Sequence, residues 1–486
     1  MTYAFTFDSS ACSGCKACQE ACKDKNQLPV GVLWRRVVEV SGGEWRNVGA
    51  GFPRPRVGEP NPYPVWETNV FAYNLSIACN HCVHPKCAGV CPTDAYVHRP
   101  DGIVYIDPDK CMGCGYCAWA CPYNAPRYNF ELGQMSKCNF CFDNIDADLP
   151  PSCVAACPMR VLNFVEVDDG RQTADNRRRT ADDVQLSIVH GQWSELWELP
   201  ASEHPFPLPN NSRTEPHLAV KPHREMGNTL EKKIANYEEI RSKKKKSETS
   251  LVVFTILVQM AVGAFWAGHW MADSLPLLAY LAIGACLAVG GFFSFAHLGA
   301  KRNAWRAPFH LTKSWLSWEI FFVGLFGAGW LASMASIFWK SLEVASLITS
   351  LLGVGLVFSM AQVYRLHVIP AWDTWRTTVG FFLTSALLGQ LAMNTLLGGS
   401  ELAWGTVIVL LAAELAMTLS AKPKAEGSLT NLRVGLSAAA MLGTGILFFV
   451  SNPSGVWISL VTFLLVMTEE VIGRVSFYKA LEEKPL

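Results

Sequence analysis

Sixteen of the 17 cysteines in this 486-residue chain fall into four groups of four, which limits the possible folds more than any other feature of the sequence. All sixteen lie between Cys12 and Cys157, and the remaining one is Cys286. The groups are Cys12, Cys15, Cys18 and Cys22; Cys79, Cys82, Cys87 and Cys91; Cys111, Cys114, Cys117 and Cys121; and Cys138, Cys141, Cys153 and Cys157. Such regular spacing indicates metal ligands and not disulfides that staple loops together.

The spacing within the groups indicates which metal is bound. Bacterial [4Fe–4S] ferredoxins have a typical run of three cysteines separated by pairs of residues. Three further residues separate the third cysteine from a fourth, and a proline follows the fourth. Zinc ribbons use cysteine pairs separated by a longer gap, which does not explain four complete groups, three of them followed by proline. With four thiolates for each cluster, the sixteen cysteines predict four [4Fe–4S] clusters. The predicted fold class is an α+β, ferredoxin-like domain over residues 1–167, of the double bacterial ferredoxin type.

The last cysteine of each run is expected to serve a different cluster from the other three, because it begins a helix that points away. The second and third groups then exchange their last cysteines. The first and fourth groups, which flank them in the chain, also exchange theirs. The predicted ligand sets are Cys79, Cys82 and Cys87 with Cys121; Cys111, Cys114 and Cys117 with Cys91; Cys12, Cys15 and Cys18 with Cys157; and Cys138, Cys141 and Cys153 with Cys22. His81 and His84 lie within a group that is already complete, so we interpret both as ordinary loop residues.

Residues 168–249 contain neither cysteines nor long apolar runs, and we predict that they link two domains. The stretch 202–223 is rich in Pro, Asn and Ser, which favours an extended arm lying on another surface. The charged stretch 229–246 predicts a short basic helix. It ends in Lys243–Lys246, immediately before an apolar run, where lysines act as a stop signal and contact lipid headgroups.

The chain after residue 249 is dominated by apolar stretches long enough to cross a bilayer, which takes about 20 residues in a helix. The predicted spans are 250–271, 277–298, 315–338, 342–363, 375–396, 402–420, 431–451 and 455–476. A large soluble helical bundle is the alternative, but its helices would carry polar faces, of which these stretches have almost none. We therefore predict an all-α bundle of eight transmembrane helices over residues 250–486.

The basic residues predict the orientation of this bundle, because positively charged loops stay in the cytoplasm. Twelve Lys and Arg residues fall in the even-numbered connections and the C-terminal end, whereas only Lys340 falls in an odd-numbered connection. Lys243–Lys246 lie on the same side as the twelve. We accordingly predict a multi-pass protein of the bacterial inner membrane, with both chain ends and the iron–sulfur domain in the cytoplasm.

Ionisable side chains inside spans are costly, so each is a functional candidate. His297 ends the second span and Glu319 opens the third, on the membrane face that bears the iron–sulfur domain. A quinone site needs a group that accepts protons close to a cluster that accepts electrons, and we assign these two residues to it. Glu414, Glu469 and Arg474 lie towards the same face and are weaker candidates, since helix-end pairing also explains them.

Haem b is not expected, because it needs two histidines that face each other at one depth. His269 lies at the opposite membrane face from His297, and His310 and His367 lie in loops. Cys286 is alone in the second span and is assigned to packing.

The iron–sulfur half resembles the electron-transfer subunit of dimethyl sulfoxide reductase over residues 1 to about 223. The resemblance is carried by CNHCVHPKCAGVCP at 79–92, CMGCGYCAWACPYNAPRYN at 111–129 and KCNFCFDNIDADLPPSCVAACPMRVLNF at 137–164. The membrane half is similar to the anchor subunit of the same complex, through AHLGAKRNAWRA at 296–307, SWLSWEIFF at 314–322 and EVIGRVSFY at 470–478. The chain therefore resembles a fusion of the two subunits.

The resemblance implies four [4Fe–4S] clusters and a separate molybdopterin catalytic subunit that reduces S- or N-oxides. It also implies a menaquinol site formed by a histidine at the end of the second span and a glutamate that opens the third, here His297 and Glu319. The best-known members face the periplasm, whereas the charge bias of this chain is opposite. The related cytoplasmic, quinone-linked sulfite dehydrogenases have the cytoplasmic orientation, and their electrons flow into the quinone pool.

Function hypotheses of three classes follow from these patterns. The favoured one is an electron-transfer and quinone-reactive membrane subunit of a molybdenum oxidoreductase, with lipid, quinone and a catalytic subunit as partners. A redox sensor or structural anchor is disfavoured, since a sensor needs one labile cluster, and a proton pump is disfavoured because the carboxylates gather near one face. Nucleic acid is not an expected partner, because 41 Lys and Arg residues balance 41 Asp and Glu residues.

Overall fold

The first half of the chain forms short strands and helices around the cysteines, and the second half forms long helices. A computed structural model describes residues 2–50, 64–167, 214–227, 232–235, 248–271, 275–339, 344–420, 427–449, 455–479 and 481. This agrees with the predicted fold class, an α+β iron–sulfur domain followed by an all-α bundle.

Twelve strands form five small sheets in the described part of the first half. Two sheets have three strands, in the orders β10-β1-β11 and β12-β2-β5, and the others are the hairpins β3-β4, β6-β7 and β8-β9. The strands are β1 (Thr2–Asp8), β2 (Arg36–Gly42), β3 (Trp45–Ala50), β4 (Pro64–Thr68), β5 (Phe71–Ile77), β6 (Tyr96–His98), β7 (Val104–Ile106), β8 (Arg127–Asn129), β9 (Gln134–Ser136), β10 (Leu162–Val167), β11 (Leu218–Lys221) and β12 (Lys232–Ala235).

Five short helices each follow or contain cysteines. They are α1 (Ala17–Lys25), α2 (Lys86–Gly89), α3 (Tyr116–Ala120), α4 (Phe142–Ile145) and α5 (Ser152–Ala155). Cys87, Cys117 and Cys153 lie within α2, α3 and α5, and Cys22 lies within α1. The loops before these helices carry the other cysteines, so loop and helix cysteines can contribute to the same cluster, as in ferredoxin folds.

The described parts of the linking segment lie on the iron–sulfur domain. Strand β11 pairs in parallel with β1, as an extended arm would. The basic helix predicted over 229–246 is wrong at Lys232–Ala235, which form strand β12 and pair with β2. Pairing with an open sheet edge outweighs the local helix preference of a lysine-rich stretch. The other residues of 229–246, with Lys243–Lys246, and the arm between 202 and 213 lie outside the described residues.

Eight helices in the described residues are long and apolar enough to cross a membrane, which confirms a multi-pass membrane protein. They are α6 (Thr249–Met271), α7 (Leu277–Ala296), α8 (Trp315–Ala335), α9 (Val344–Tyr364), α10 (Trp375–Leu397), α11 (Glu401–Ser420), α12 (Gly427–Phe449) and α13 (Gly455–Lys479). A 3₁₀ segment over Lys301–Phe309 lies between α7 and α8.

Helix α6 lies at the centre of the bundle, and 83 % of its apolar stretch is buried by the other helices. It crosses α10 at two glycines. A Cβ atom on Gly263 would lie 1.7 Å from the carbonyl oxygen of Ser385, and one on Gly389 would lie 2.0 Å from the carbonyl carbon of Gly263. Glycine at both positions lets the two backbones touch, which is how helices gain packing energy in lipid.

Candidate functional site

The structure gathers the sixteen cysteines of the four groups into four sets, which we call quartets I to IV. Quartet I is Cys91, Cys111, Cys114 and Cys117; quartet II is Cys79, Cys82, Cys87 and Cys121; quartet III is Cys22, Cys138, Cys141 and Cys153; and quartet IV is Cys12, Cys15, Cys18 and Cys157. These are the sets predicted from crossed ligation. That each quartet holds a cluster stays a prediction at this point.

Two of the quartets line cavities of nearly equal size. The cysteines of quartet II surround one of about 20 Å³, and those of quartet IV surround another of about 20 Å³. The sulfur of Cys117 lies within electrostatic range of the three other thiols of quartet I. Cys22 interacts in the same way with Cys141 and Cys153, and Cys138 interacts with Cys22 and Cys153.

Four thiols crowded into a buried space suit a cationic metal cluster. Burial raises the pKa of Cys22 to about 12, and the charges of Cys153 and Cys141 act in the same direction. Burial also raises the pKa of Cys82 and Cys87, with a further contribution from other thiols of quartet II. A metal bound to a thiol deprotonates it outright, so iron would stabilise all four thiolates together. The donor set therefore fits a [4Fe–4S] cluster at each quartet.

One buried side chain lies between each pair of neighbouring quartets. Tyr96 interacts with Cys117 and Cys91 of quartet I and with Cys87 of quartet II. The ammonium group of Lys137 lies 3.2 Å from Cys79 Sγ of quartet II and within electrostatic range of Cys138 of quartet III. Arg35 interacts with Cys153, Cys138 and Cys22 of quartet III and with Cys18 of quartet IV. The quartets therefore form a row in the order I, II, III, IV.

Lys137 and Arg35 were not singled out from the sequence, although they are the two cations of the row. Lys137 is 3 % exposed and Arg35 is 2 % exposed. Burial opposes the charge of Lys137, but the sulfurs of Cys79, Cys87 and Cys138 outweigh it and raise its pKa. Both side chains offset the negative charge that thiolate clusters would bring into the domain. The position of Lys137 beside Cys138 was a signal, but nothing in the sequence marks Arg35.

His81 is not the ordinary loop residue that we expected. It is 1 % exposed, lines the cavity of quartet II and accepts a hydrogen bond at Nδ1 from the backbone N–H of Val104 at 3.1 Å. Its ring lies edge-on to Phe140, with 5.2 Å between the centroids. His84 is exposed and lies 3.7 Å from Glu215, as expected of a surface loop.

The loop between α7 and α8 holds the backbone of quartet I. The N–H of Ala300 donates to the carbonyl oxygen of Met112 at 3.1 Å, and Asn303 Nδ2 donates to the carbonyl oxygen of Cys111 at 2.9 Å. Ser314 Oγ donates to the carbonyl oxygen of Val90 at 2.7 Å. These three acceptors are ligand residues of quartet I or their direct neighbours. The membrane half thus contacts the iron–sulfur half at quartet I, through what we call the docking loop (297–314).

Three glycines make this contact possible. Gly113 and Gly133 have positive φ angles of 73° and 66°, and Gly299 of the docking loop meets them. A Cβ atom on Gly299 would lie 1.8 Å from the carbonyl oxygen of Gly133, so any side chain there would separate the two halves.

We therefore expect Gly299→Ala to loosen the docking of the two halves. Overpacking of this kind costs about 1–3 kcal/mol. The N–H of Ala300 should then exchange faster with deuterated solvent, because its hydrogen bond to Met112 weakens. Gly291→Ala in α7 is the matched control, since a Cβ atom there meets nothing within 4 Å. Equal exchange at Ala300 in the two variants would contradict the prediction.

His297 begins the docking loop, and Glu319 lies five residues beyond its end, in α8. His297 directly follows α7, and its Nδ1 bonds to the carbonyl oxygen of Ser294. Glu319 lies in the second turn of α8, is 3 % exposed, and makes no hydrogen bond or ion pair with another described residue. A buried carboxylate without a partner among the described residues is costly, so Glu319 remains a candidate for a functional role.

Tyr116 joins Glu319 to quartet I. It lies beside Cys117 on α3, is 3 % exposed and donates its hydroxyl to the carbonyl oxygen of Val363 at 2.8 Å. Its hydroxyl interacts electrostatically with both Glu319 and Cys114. Burial raises the pKa of Tyr116, so it stays protonated and remains a donor. A carboxylate and a cluster ligand therefore lie on either side of one side chain.

Helix α3 also inserts Trp119 into an aromatic group of the membrane half. Its ring lies 6.1 Å from Tyr364, 5.8 Å from Trp372 and 6.4 Å from Tyr478, measured between centroids. The hydroxyls of Tyr364 and Tyr478 bond to each other. This tyrosine pair interacts electrostatically with Glu319. Sequence patterns did not reveal the pair, because the two tyrosines are far apart in the chain.

The weaker candidates Glu414, Glu469 and Arg474 lie apart from the docking loop. Glu414 and Glu469 share Arg433, whose Nε lies 2.6 Å from Glu469 Oε1 and whose Nη2 lies 3.6 Å from Glu414 Oε1. Arg474 donates to Gln259 Oε1 at 2.8 Å and covers the ring of Phe381.

The sequence interpretation missed two members of this group. Glu470 lies next to Glu469 and accepts a hydrogen bond from Thr384 Oγ1 at 3.1 Å. Glu470 stands four residues before Arg474, and opposite charges at this spacing lie on one face of a helix, which could have marked Glu470 as a candidate. Arg433 was counted only as a basic residue near a membrane face.

The remaining candidates form local contacts. His269 bonds to the carbonyl oxygen of Phe265 and lies 3.4 Å from Tyr280, and His310 bonds to the carbonyl oxygen of Arg306. His367 pairs with Asp373. Cys286 is half-buried against the bundle core, in agreement with a packing role. The absence of haem stays a prediction.

Two family models match the two halves. Residues 70–167 match the 4Fe-4S dicluster domain, and residues 244–425 match the DMSO reductase anchor subunit. The first half is thus similar to electron-transfer iron–sulfur proteins, and the second is similar to a membrane anchor.

Curated relatives align with the iron–sulfur half. One chain of the anaerobic dimethyl sulfoxide reductase of Haemophilus influenzae is 38 % identical over 222 residues, which cover 46 % of this chain and 90 % of that protein. The probable anaerobic dimethyl sulfoxide reductase chain YnfG of Escherichia coli is 39 % identical over 241 residues, which cover 49 % and 98 %. One subunit of the sulfite dehydrogenase of Allochromatium vinosum is 38 % identical over 174 residues, which cover 34 % and 69 %.

Proposed function

Because the chain belongs to the dimethyl sulfoxide reductase family, in which it joins an iron–sulfur subunit to a membrane anchor, we propose that it carries electrons between a membrane quinone and a separate molybdopterin subunit. The quinone is menaquinone or a similar compound, bound near His297 and Glu319. The observation that carries the proposal is the buried carboxylate of Glu319, which pairs with no residue in the described part of the chain and shares the neighbour Tyr116 with Cys114 of quartet I. A proton acceptor and the first electron acceptor are thus adjacent.

His297 of the docking loop and Glu319 of α8 supply the proton chemistry. The Ser294 carbonyl oxygen holds a proton on Nδ1 of His297, so Nε2 carries a lone pair that can accept a hydrogen bond from a quinol hydroxyl. The carboxylate of Glu319 takes up the proton as electrons leave the quinol. Burial keeps water away, so the proton stays on the carboxylate until another group receives it. In the reverse direction, the same two residues deliver protons to a quinone.

The sixteen cysteines of quartets I–IV would hold four [4Fe–4S] clusters, which supply one-electron redox chemistry. Quartet I touches the membrane half, so electrons cross the membrane boundary there. The row I, II, III, IV then leads away from the quinone, and quartet IV is the side on which a catalytic subunit would dock. Cys15 of quartet IV is exposed, which supports this assignment.

The iron–sulfur half belongs on the cytoplasmic side of a bacterial inner membrane under this proposal. The supporting observation is the basic bias of twelve residues against one in the connections. A reporter that is active only in the cytoplasm, fused to the C-terminal end, should be active. A periplasmic reporter at the same position should be inactive, and the reverse pattern would contradict the orientation.

Oxidation of sulfite is the second candidate function, because one relative, at 38 % identity, belongs to a sulfite dehydrogenase. Electrons would then flow from the catalytic subunit into the quinone pool. The cytoplasmic orientation favours this direction, whereas the relatives from dimethyl sulfoxide reductases favour the opposite one.

The visible absorbance of the clusters separates the two directions. The complex is purified in mild detergent with its catalytic subunit. For an S-oxide reductase, we expect menaquinol to bleach the clusters and dimethyl sulfoxide to restore their colour. For a sulfite dehydrogenase, we expect sulfite to bleach the clusters and menaquinone to restore their colour. A complex whose clusters respond to neither quinol nor quinone would contradict the proposed function and favour a sensor or a structural anchor.

A further inference from the structure

A carboxylate cluster, Glu414, Glu469 and Glu470, lies inside the bundle, on helices that the docking loop does not join. One oxygen of each residue lies within 4.8 Å of the other two. The cluster is buried, with 8 %, 1 % and 4 % of the three residues exposed. Helix α11 contributes Glu414, and α13 contributes Glu469 and Glu470.

The charges around the carboxylate cluster do not balance. Arg433 from α12 contacts Glu414 and Glu469, and Arg474 lies one turn from Glu470 on α13. Helices α6 and α10 contribute only the neutral side chains Gln259 and Thr384 to the described contacts. With every group ionised, three carboxylates and two guanidinium groups leave one negative charge. An unbalanced charge is unfavourable in a buried site, so the cluster attracts one further positive charge.

Unsatisfied polar atoms at the cluster point to the same conclusion. One oxygen of each carboxylate, Oε2 of Glu414 and Glu469 and Oε1 of Glu470, has no hydrogen-bond partner in the described part of the chain. Gln259 has no exposed surface, yet its Nε2 also has no partner there, while its Oε1 is held by Arg474. Carboxylate oxygens this close together are satisfied when they share a proton, which supplies both the missing charge and the missing donor.

Side chains on one face of α13 lead from the carboxylate cluster towards the quinone site. Glu470, Arg474 and Tyr478 follow each other at intervals of four residues and so lie on one face of α13. With a rise of 1.5 Å per residue, the eight residues from Glu470 to Tyr478 span about 12 Å. Tyr478 bonds to Tyr364, and both interact electrostatically with Arg474 and Glu319. The tyrosine pair therefore lies between Glu319 and the carboxylate cluster.

We propose that the carboxylate cluster binds one exchangeable proton and that this proton passes between Glu319 and the cluster by way of the Tyr364–Tyr478 pair and of water beside Arg474, whose guanidinium group keeps its own protons. Oxidation of one quinol releases two electrons and two protons, but Glu319 can hold only one proton. When Glu319 passes its proton along the tyrosine pair, the charge of the carboxylate cluster changes from −1 to 0 and Glu319 is an anion again. It can then take the second proton as the second quinol O–H bond breaks. During quinone reduction, the cluster gives this proton up. The inference rests on the proposed quinone site.

Glu470→Gln tests the inference in the complex with its catalytic subunit. Two carboxylates then balance two guanidinium groups, so the cluster is neutral without a proton and cannot accept one. We expect quinol-driven turnover to fall by about tenfold to a hundredfold, less than on removal of the primary acceptor. Glu470→Asp should restore part of the rate. Glu401→Gln is the matched control, because Glu401 is an exposed carboxylate at the far end of α11.

Tyr478→Phe provides a second test that leaves every charge of the cluster in place. It removes one hydroxyl from the tyrosine pair and should slow turnover to a similar extent. Infrared difference spectra give a readout that a merely structural role would not change. On addition of quinol, the wild-type complex should show the carbonyl stretches of two protonated carboxylic acids, one from Glu319 and one from the carboxylate cluster, and Glu470→Gln should keep only the band of Glu319.

Several outcomes would overturn the inference. Normal turnover in Glu470→Gln and Tyr478→Phe, with an inactive Glu319→Gln complex, would exclude the relay and leave the quinone site intact. Normal turnover in Glu319→Gln as well would instead remove the proposed quinone site. Turnover that requires Na⁺ at constant ionic strength, and is lost in Glu470→Gln, would mean that the cluster binds a metal cation and not a proton.

Discussion

Replacing Glu319 with glutamine should abolish the reduction of the clusters by quinol and leave the clusters themselves in place. Glu319 is 3 % exposed and no other described residue pairs with it, so its carboxylate is available to the quinol. Glutamine has nearly the same shape but does not accept a proton. Because a positioned general base contributes about 10²–10⁴-fold to a rate, we expect cluster bleaching by menaquinol to slow by about a hundredfold or more.

Stopped-flow absorbance measures this rate directly. Iron content and full bleaching by dithionite should match the wild-type complex, which shows that the clusters are intact. Glu319→Asp should retain intermediate activity, since it keeps the carboxylate but shortens its reach. A wild-type bleaching rate in Glu319→Gln would mean that another group takes the proton, and the quinone site would have to be moved from the docking loop.

The membership of the quartets could be predicted from the sequence, because cluster-binding runs are local and each loop dictates which sulfurs point inward. The order of the quartets could not be predicted. It depends on Tyr96, Lys137 and Arg35, whose positions between quartets arise from packing across the domain. Three residues of ordinary appearance in the sequence thus define the row along which electrons would travel.

Helix positions in the membrane half could also be predicted, because the thickness of the bilayer sets the length of each apolar stretch. The second span was predicted over 277–298, and α7 ends at Ala296. Hydropathy does not reveal which polar side chains meet inside the bundle. Glu469 was identified but its neighbour Glu470 was not, since only the packing of α10 to α13 brings both towards Glu414.

The linking segment shows where local patterns fail. The lysine-rich stretch 229–246 has the composition of a helix, but Lys232–Ala235 form a strand on the edge of β2. A backbone edge that needs hydrogen bonds is a long-range feature, so a local window of sequence does not contain it.

Removing Cys117 should disconnect the membrane from the whole row of clusters. Quartet I is the set that the docking loop holds, and Cys114 of the same set packs against the core of the membrane half. In Cys117→Ala, quartet I has only three thiolates, so its cluster should be lost. We expect menaquinol to leave the remaining clusters oxidised, because their quartets II to IV lie beyond the missing one. Dithionite should still reduce them, since it reaches the row from solvent.

Cys18→Ala in quartet IV is the matched variant, because it removes one ligand at the opposite end of the row. Menaquinol should bleach the clusters of quartets I to III in this variant at a rate close to that of the wild-type complex, whereas turnover with the catalytic subunit should fall to background. Electron paramagnetic resonance of the reduced complexes identifies which cluster each variant lacks. If menaquinol reduces the remaining clusters of Cys117→Ala as fast as those of Cys18→Ala, electrons enter the row elsewhere, and the docking loop is not the quinone site.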